Sequence, residues 1–160
     1  MAIETGKGLP AGKFLKKADN GFEEVAFPDY VAGRKVAIFG LPGAYTGTCS
    51  TLHLPSFIRT AAAFAEKGVD EIICISVNDP FVLTAWAEGA GAGAITMLAD
   101  PDASFTKAAG MDFSAPPVGL IDRSKRYSLI LDDGVVTHLF EDPPGTCNAT
   151  SGEELLEALG

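Results

Sequence analysis

The chain has 160 residues, 47% of them hydrophobic and 21% charged, which is the length and balance of one globular domain and not of a disordered or fibrous chain. Its formal net charge of −9 argues against nucleic acid or an anionic membrane surface as partner, since both demand clustered Lys and Arg. No apolar run approaches the ~18 residues that span a bilayer, and MAIETGKGLPAGKFLKKADNG at the N-terminus has no apolar block of signal-peptide length, so a soluble, cytoplasmic protein is expected.

In chain order, the first 30 residues are mixed, with Gly8, Pro10, Gly12 and Gly21 as turn signals. GFEEVAF alternates weakly and reads as a strand. RKVAIFG, 34–40, is a short apolar run ending in glycine, the pattern of a strand buried on both faces. A loop follows from Leu41 to Thr48. From Cys49, apolar residues recur at helical spacing to about Lys67, with Gly68 beyond the end. EIICISV is a second buried strand. Asn78-Asp79-Pro80 opens a helix that runs to about Glu88. AITMLAD is a third strand, Ala103 to Ala109 a shorter helix, and VGLIDR a fourth strand. RYSLILDDGVVTHLFE holds two alternating runs around Asp132-Asp133-Gly134, which is hairpin chemistry. SGEELLEAL closes the chain as a capped helix. This order predicts an α/β fold, a mixed sheet with helices on both faces, in a single domain over 1–160.

PGAYTGTCSTLHLPSF, residues 42–57, lies where a buried strand gives way to a helix. Ligands collect at the carboxyl ends of strands in such folds. The unpaired amides and positive dipole of a helix start favour a thiolate there. Cys49 is therefore a reactive-cysteine candidate from position alone, and a buried structural cysteine is the competing reading. Thr46 and Thr48 are hydroxyls of the kind that cap helices.

Pro42-x-x-x-Thr46-x-x-Cys49 matches the PxxxTxxC pattern of peroxiredoxins. The wider block, followed in order by ICISVNDPFVLTAWAE and RSKRYSLILDDGVV, resembles the peroxiredoxin 5 subfamily (type II, atypical two-cysteine or one-cysteine) over nearly the whole chain. The resemblance implies a thioredoxin-like fold, with a central mixed β-sheet flanked by helices and an N-terminal β-hairpin extension. It implies thiol-dependent reduction of hydrogen peroxide and organic hydroperoxides, without metal, haem or flavin, in a homodimer. Residue by residue, Cys49 becomes the peroxidatic cysteine, passing through a sulfenic acid. Thr46 bonds the thiolate and the peroxide, Arg126 stabilises the thiolate and the developing charge, and Pro42 shields the sulfur. Gly47 stands where proline is commoner in the family, and Tyr45 where phenylalanine is.

His53, one helical turn after Cys49, raises the thought of a cysteine hydrolase, but no third orienting group is evident. A structural or pocket-rim role is the expectation for it, with Gly47 and Thr48 as further pocket residues. Two histidines and three cysteines show no CxxC or HxxxH spacing for a metal. Cys74 lies mid-strand and reads as a buried hydrophobe. Cys147, in the loop PPGTCNATSG, is the candidate resolving cysteine on the resemblance, offset by about two residues. The alternative is one-cysteine behaviour, with glutathione, glutaredoxin or thioredoxin reducing Cys49 directly. The rival functions are a thioredoxin-type thiol–disulfide oxidoreductase, which the lack of CxxC disfavours, and a redox sensor using Cys49 as a switch.

Overall fold

The computed structural model describes residues 2–160. The strand expected at 34–40 forms β3 (Lys35–Leu41), buried from Val36 onward. It runs parallel to β4 (Glu71–Ser76), and β4 parallel to β5 (Thr96–Ala99). On its other edge β3 pairs antiparallel with β8 (Arg126–Asp132), which turns at Asp133-Gly134 into β9 (Val135–Asp142). The hairpin read from RYSLILDDGVVTHLFE is thus the far edge of the sheet.

At the near edge, β1 (Gly12–Ala18) and β2 (Gly21–Phe27) form an antiparallel hairpin, and β1 meets β5 through Leu15 and Ala99. The whole sheet has seven strands in the order β2-β1-β5-β4-β3-β8-β9. Only β2 of that hairpin has a local signature. β1 carries three lysines, and Phe14 alone of its residues is buried, so its sequence shows no alternation to read. VGLIDR forms the expected strand, β7 (Leu120–Ser124), which pairs with β6 (Asp112–Ala115) in a separate two-stranded sheet.

Alternation along the buried strands divides the interior into two layers. Ala37, Phe39, Leu41, Ile72, Cys74 and Ile130 face α1 (Leu54–Glu66), α2 (Pro80–Ala90) and α4 (Gly152–Ala158). Val36, Ile38, Ile73, Ile75, Leu129 and Leu131 face the β1–β2 hairpin and α3 (Ser104–Ala108). Each large side chain removed from water in these layers contributes about 1.5–3 kcal/mol.

The helix ends follow their sequence signals. Asp79 caps α2 by accepting from the Val82 N–H, with Pro80 at the first helical position, and Ser151 caps α4 by accepting from Glu154. Helix α4 sits tightly on α1. A β-carbon added at Gly152 would stand 2.5 Å from the Ser56 carbonyl oxygen, so only glycine permits this approach. The Gly152 N–H donates to Ser56 Oγ at 2.8 Å. That contact presses the chain between β9 and α4, residues 143–151, against the start of α1.

Candidate active site

The loop that leaves β3 is held from two sides. Arg123 donates to the Pro42 carbonyl at 3.0 Å, and Asn78 Oδ1 accepts from the Ala44 N–H at 3.0 Å and from the Ser76 hydroxyl at 2.6 Å. Gly43 makes the arginine clamp possible, because a β-carbon there would lie 2.3 Å from Arg123 Nη1. At the loop apex, exposed Tyr45 takes a left-handed conformation with φ 64°, a geometry bulky side chains rarely adopt. It turns Thr46 back so that its hydroxyl donates to the Gly43 carbonyl at 2.7 Å. The proton of Thr46 is committed there, and its oxygen lone pairs are what remain to accept from a bound group.

The helix begins just after Thr46, with the Ser50 N–H bonded to the Thr46 carbonyl. From Cys49 to His53 the turn is wide. The Leu54 N–H reaches back five residues to the Cys49 carbonyl, where an α-helix would reach four. Cys49 and His53 both lie on the buried side of this turn and both are fully excluded from solvent. Trp86 on α2 anchors the turn by donating its indole N–H to Ser50 Oγ at 3.0 Å.

Arg126, the first residue of β8, comes down on this turn with only 3% of its surface exposed. Its Nη2 donates to Cys49 Sγ at 3.2 Å, and its Nη1 to His53 Nδ1 at 2.9 Å. The Nε–H is buried and has no protein partner, so one donor of the fork is still free beside the sulfur. Arg126 and Pro42 form one wall of a cavity of ≈ 370 Å³, which is completed by Phe113, Lys125, Glu141, Asp142, Pro143 and Pro144.

The structure brings Arg126 onto Cys49 and lines one cavity with Arg126 and Pro42. It corrects the expectation for Thr46, whose hydroxyl commits its proton to the Gly43 carbonyl and makes no bond to the Cys49 sulfur. Of the two places expected for His53, the side chain takes the structural one. Its ring is not at a pocket rim. It is wholly interior, with Nε2 3.0 Å from the Thr150 carbonyl, on the same buried side of the turn as Cys49. Burial, and next the Arg126 charge, push its pKa down to about 3, so the ring is neutral. Gly47 is exposed, its carbonyl accepting from the Thr51 hydroxyl. Thr48 turns to the 143–151 segment and donates to the Gly145 carbonyl at 3.2 Å.

That segment carries Cys147, which is half-buried and lies along a groove with Leu52, Ser56 and Arg59. Burial pushes the Cys147 thiol up from its ordinary value. Burial pushes Cys74, fully enclosed on β4, well above it. All three cysteines are unpaired. Among the described residues no group of three or more His, Cys, Asp or Glu is placed to hold a metal, and no helix is long and apolar enough to cross a membrane.

Asp142 ties the segment down. Its carboxylate accepts from the N–H groups of Asn148 (2.8 Å), Ala149 (3.2 Å) and Thr150 (2.9 Å), and from the Thr150 hydroxyl (2.7 Å). Burial alone raises this acid, but the bonds from Thr150, Asn148 and Ala149 outweigh burial and hold it below the usual aspartate range. A depressed folded pKa stabilises fully above the unfolded value of about 3.9, and that stability is lost as pH falls through the lower folded value. The amide resonances of Asn148, Ala149 and Thr150 are therefore expected to move together in an acid titration centred below ~3.9. A midpoint above that value would contradict the assignment.

Residues 4–156 match the Redoxin family. The chain belongs to that family. Among its curated relatives, Peroxiredoxin-2B of Arabidopsis thaliana is 43% identical over 98% of both chains. Chloroplastic Peroxiredoxin-2E-2 of Oryza sativa subsp. japonica is 44% identical over 98% of this chain and 72% of its own length. Among solved structures, reduced Prx3 of Vibrio vulnificus in complex with H2O2 is 42% identical over 99% of both chains, with a TM-score of 0.94. The Redoxin chain is thus an oxidoreductase of the peroxiredoxin kind, a thiol-dependent peroxidase on a thioredoxin-like fold.

Sequence reasoning missed three contributors to this Redoxin site. Arg123 and Asn78, which clamp the loop, lay inside the quoted blocks but carried no reactive signature. Asp142 is an acidic residue at a strand end, indistinguishable in sequence from a solvated charge.

Proposed function

We propose that the Cys49 thiolate attacks one oxygen of a hydroperoxide. The S–O bond forms as the O–O bond breaks, and the sulfur is oxidised by two electrons to sulfenic acid. The other oxygen takes a proton and leaves as water, or as an alcohol when the substrate is organic. The observation that carries this reading is the Arg126 Nη2 donor 3.2 Å from Cys49 Sγ in a buried site. Donors fixed before reaction, in a place water does not reach, are worth most to a transition state in which charge shifts from sulfur to oxygen. The free Nε–H of Arg126 supplies a bond to peroxide oxygen, the lone pairs of Thr46 accept from the peroxide O–H, and Pro42 walls the approach.

The reductant in this reading is external: glutathione with glutaredoxin, or thioredoxin. The half-buried Cys147 thiol supports it, because burial keeps that sulfur protonated and a thiol is a poor nucleophile. A second reading, in which Cys147 resolves the sulfenic acid as a Cys49–Cys147 disulfide, draws on the Thr48–Gly145 bond that ties its segment to the Cys49 turn. The Cys147→Ser protein separates the two. Steady-state turnover with either reductant is expected to stay within about twofold of wild type, as for a substitution that touches no reacting atom. A collapse of turnover, with sulfenic acid accumulating, would establish Cys147 as the resolving thiol. Exposed Tyr45, before the Cys49 turn, and Leu52, within it, favour a homodimer packed near the site, and three unpaired thiols suit the reducing cytoplasm.

A further inference from the structure

We infer that His53 is a positioning residue for the peroxidase reaction: it braces the Arg126 guanidinium against the Cys49 sulfur and is itself held by the Thr150 carbonyl. The inference rests on the reading of Arg126 as the partner of Cys49.

A guanidinium offers only donors, and a peptide carbonyl only accepts. His53 lies between the two, with Nδ1 2.9 Å from Arg126 Nη1 and Nε2 3.0 Å from the Thr150 oxygen. One state of the ring satisfies both neighbours, the neutral tautomer with a bare Nδ1 and a proton on Nε2. A protonated ring would set an N–H against the N–H of Arg126. The charged or titratable groups around the ring are Arg126, Cys49 beyond it and, behind Thr150, Asp142. Burial and the arginine charge keep the ring uncharged.

The ring cannot turn away. Phe39 and Phe57 pack on it with centroids at 4.9 and 5.7 Å. Thr150 is fixed in turn by two bonds to Asp142. The brace therefore runs from the end of β9 through Thr150 and His53 to Arg126. The wide turn gives this arrangement its purpose. It carries Cys49 and His53 on one buried side, so that a single turn of helix engages both terminal nitrogens of one guanidinium. A long side chain held at one nitrogen alone keeps rotamer freedom that two fixed partners remove.

The test is the second-order rate constant for hydrogen peroxide with the pre-reduced enzyme. It is followed by the fluorescence of Trp86, the single tryptophan, which is bonded to the residue after Cys49. His53→Phe keeps the aromatic packing and removes both nitrogens. It should slow the reaction on the order of 10-fold or more, the effect of losing one hydrogen bond to a charged group. His53→Asn places an oxygen near the Nδ1 position and should restore the rate to within about threefold of wild type, an effect below half the loss in logarithmic terms. Added to Arg126→Ala, His53→Phe should cause no further loss, because its effect passes through the arginine.

A wild-type rate in His53→Phe, no rescue by His53→Asn, or effects that multiply with Arg126→Ala would each overturn the inference. A normal rate in Arg126→Ala alone would instead remove the reading it rests on. Should His53→Phe fail to fold, the imidazole 15N shifts of the wild-type enzyme decide. Protonated Nε2 and bare Nδ1 throughout pH 5–9 are expected for a ring that stays neutral across the range where a free histidine, near ~6.5, would titrate. Titration inside that range, or the opposite tautomer, would overturn it.

Discussion

The Cys49→Ser enzyme is expected to consume no peroxide above the uncatalysed rate, with either thioredoxin or glutathione and glutaredoxin as reductant. The reaction needs an atom that gives up two electrons and then regains them. Sulfur does so by climbing and descending one rung of its oxidation ladder, and a serine oxygen has no such rung. The other two cysteines are poorly placed to substitute. Cys74 sits in the middle of β4 with no exposure, and burial pushes its thiol well above the ordinary value. Cys147 is half-buried, its thiol also pushed up by burial, with Thr150 Oγ1 3.8 Å from its sulfur. The substitution is nearly isosteric, and Arg126 remains to donate to the new hydroxyl, so the fold should survive. Peroxide loss is followed directly in a ferrous-thiocyanate assay. Turnover that persists in Cys49→Ser would move the chemistry to another thiol.

Arg126→Ala is expected to slow peroxide attack by roughly 10²–10³, the effect of removing one preorganised donor from a developing charge. Two features push the effect to the upper part of that range. The side chain is 3% exposed, so water does not replace the lost donors readily. And one guanidinium supplies both the bond to sulfur and the free Nε–H, so one substitution removes two interactions. Arg126→Lys should recover little of the rate. An ammonium is a compact charge without the planar fork, and it cannot meet the sulfur, His53 and a peroxide oxygen at the same angles. Stopped-flow rates on reduced enzyme measure this. Normal kinetics in Arg126→Ala would take the arginine out of the site.

What the sequence disclosed, and what it withheld, divides along physical lines. The sheet core was legible because β3 and β4 are buried on both faces and therefore read as unbroken apolar runs. The β8–β9 hairpin was legible because alternation flanks a turn that glycine permits. Strand β1 was hidden, since its lysines face water and it is held by pairing with β2 more than by its own pattern. Strand β7 was legible as a strand but its partner was not, because pairing is not encoded in a six-residue run.

The site divides the same way. Cys49 could be placed at a helix start from local pattern, and the motif blocks pointed to Thr46, Pro42 and Arg126. Nothing local shows that His53 and Arg126, 73 residues apart in sequence, share a hydrogen bond. Nor does any propensity scale announce the wide turn from Cys49 to His53. Such features arise only when the start of β8 meets the turn from Cys49 to His53, and they were found in the structure alone.

The most direct test of Cys49 as the reacting sulfur is to locate the oxygen after a single turnover. Reduced enzyme is given one equivalent of hydrogen peroxide in the presence of dimedone, and the non-reduced protein is weighed and its peptides mapped. A dimedone adduct confined to the peptide bearing Cys49 is the expected result. An adduct or a disulfide that leaves Cys49 as the free thiol, or no change in mass at all, would contradict it.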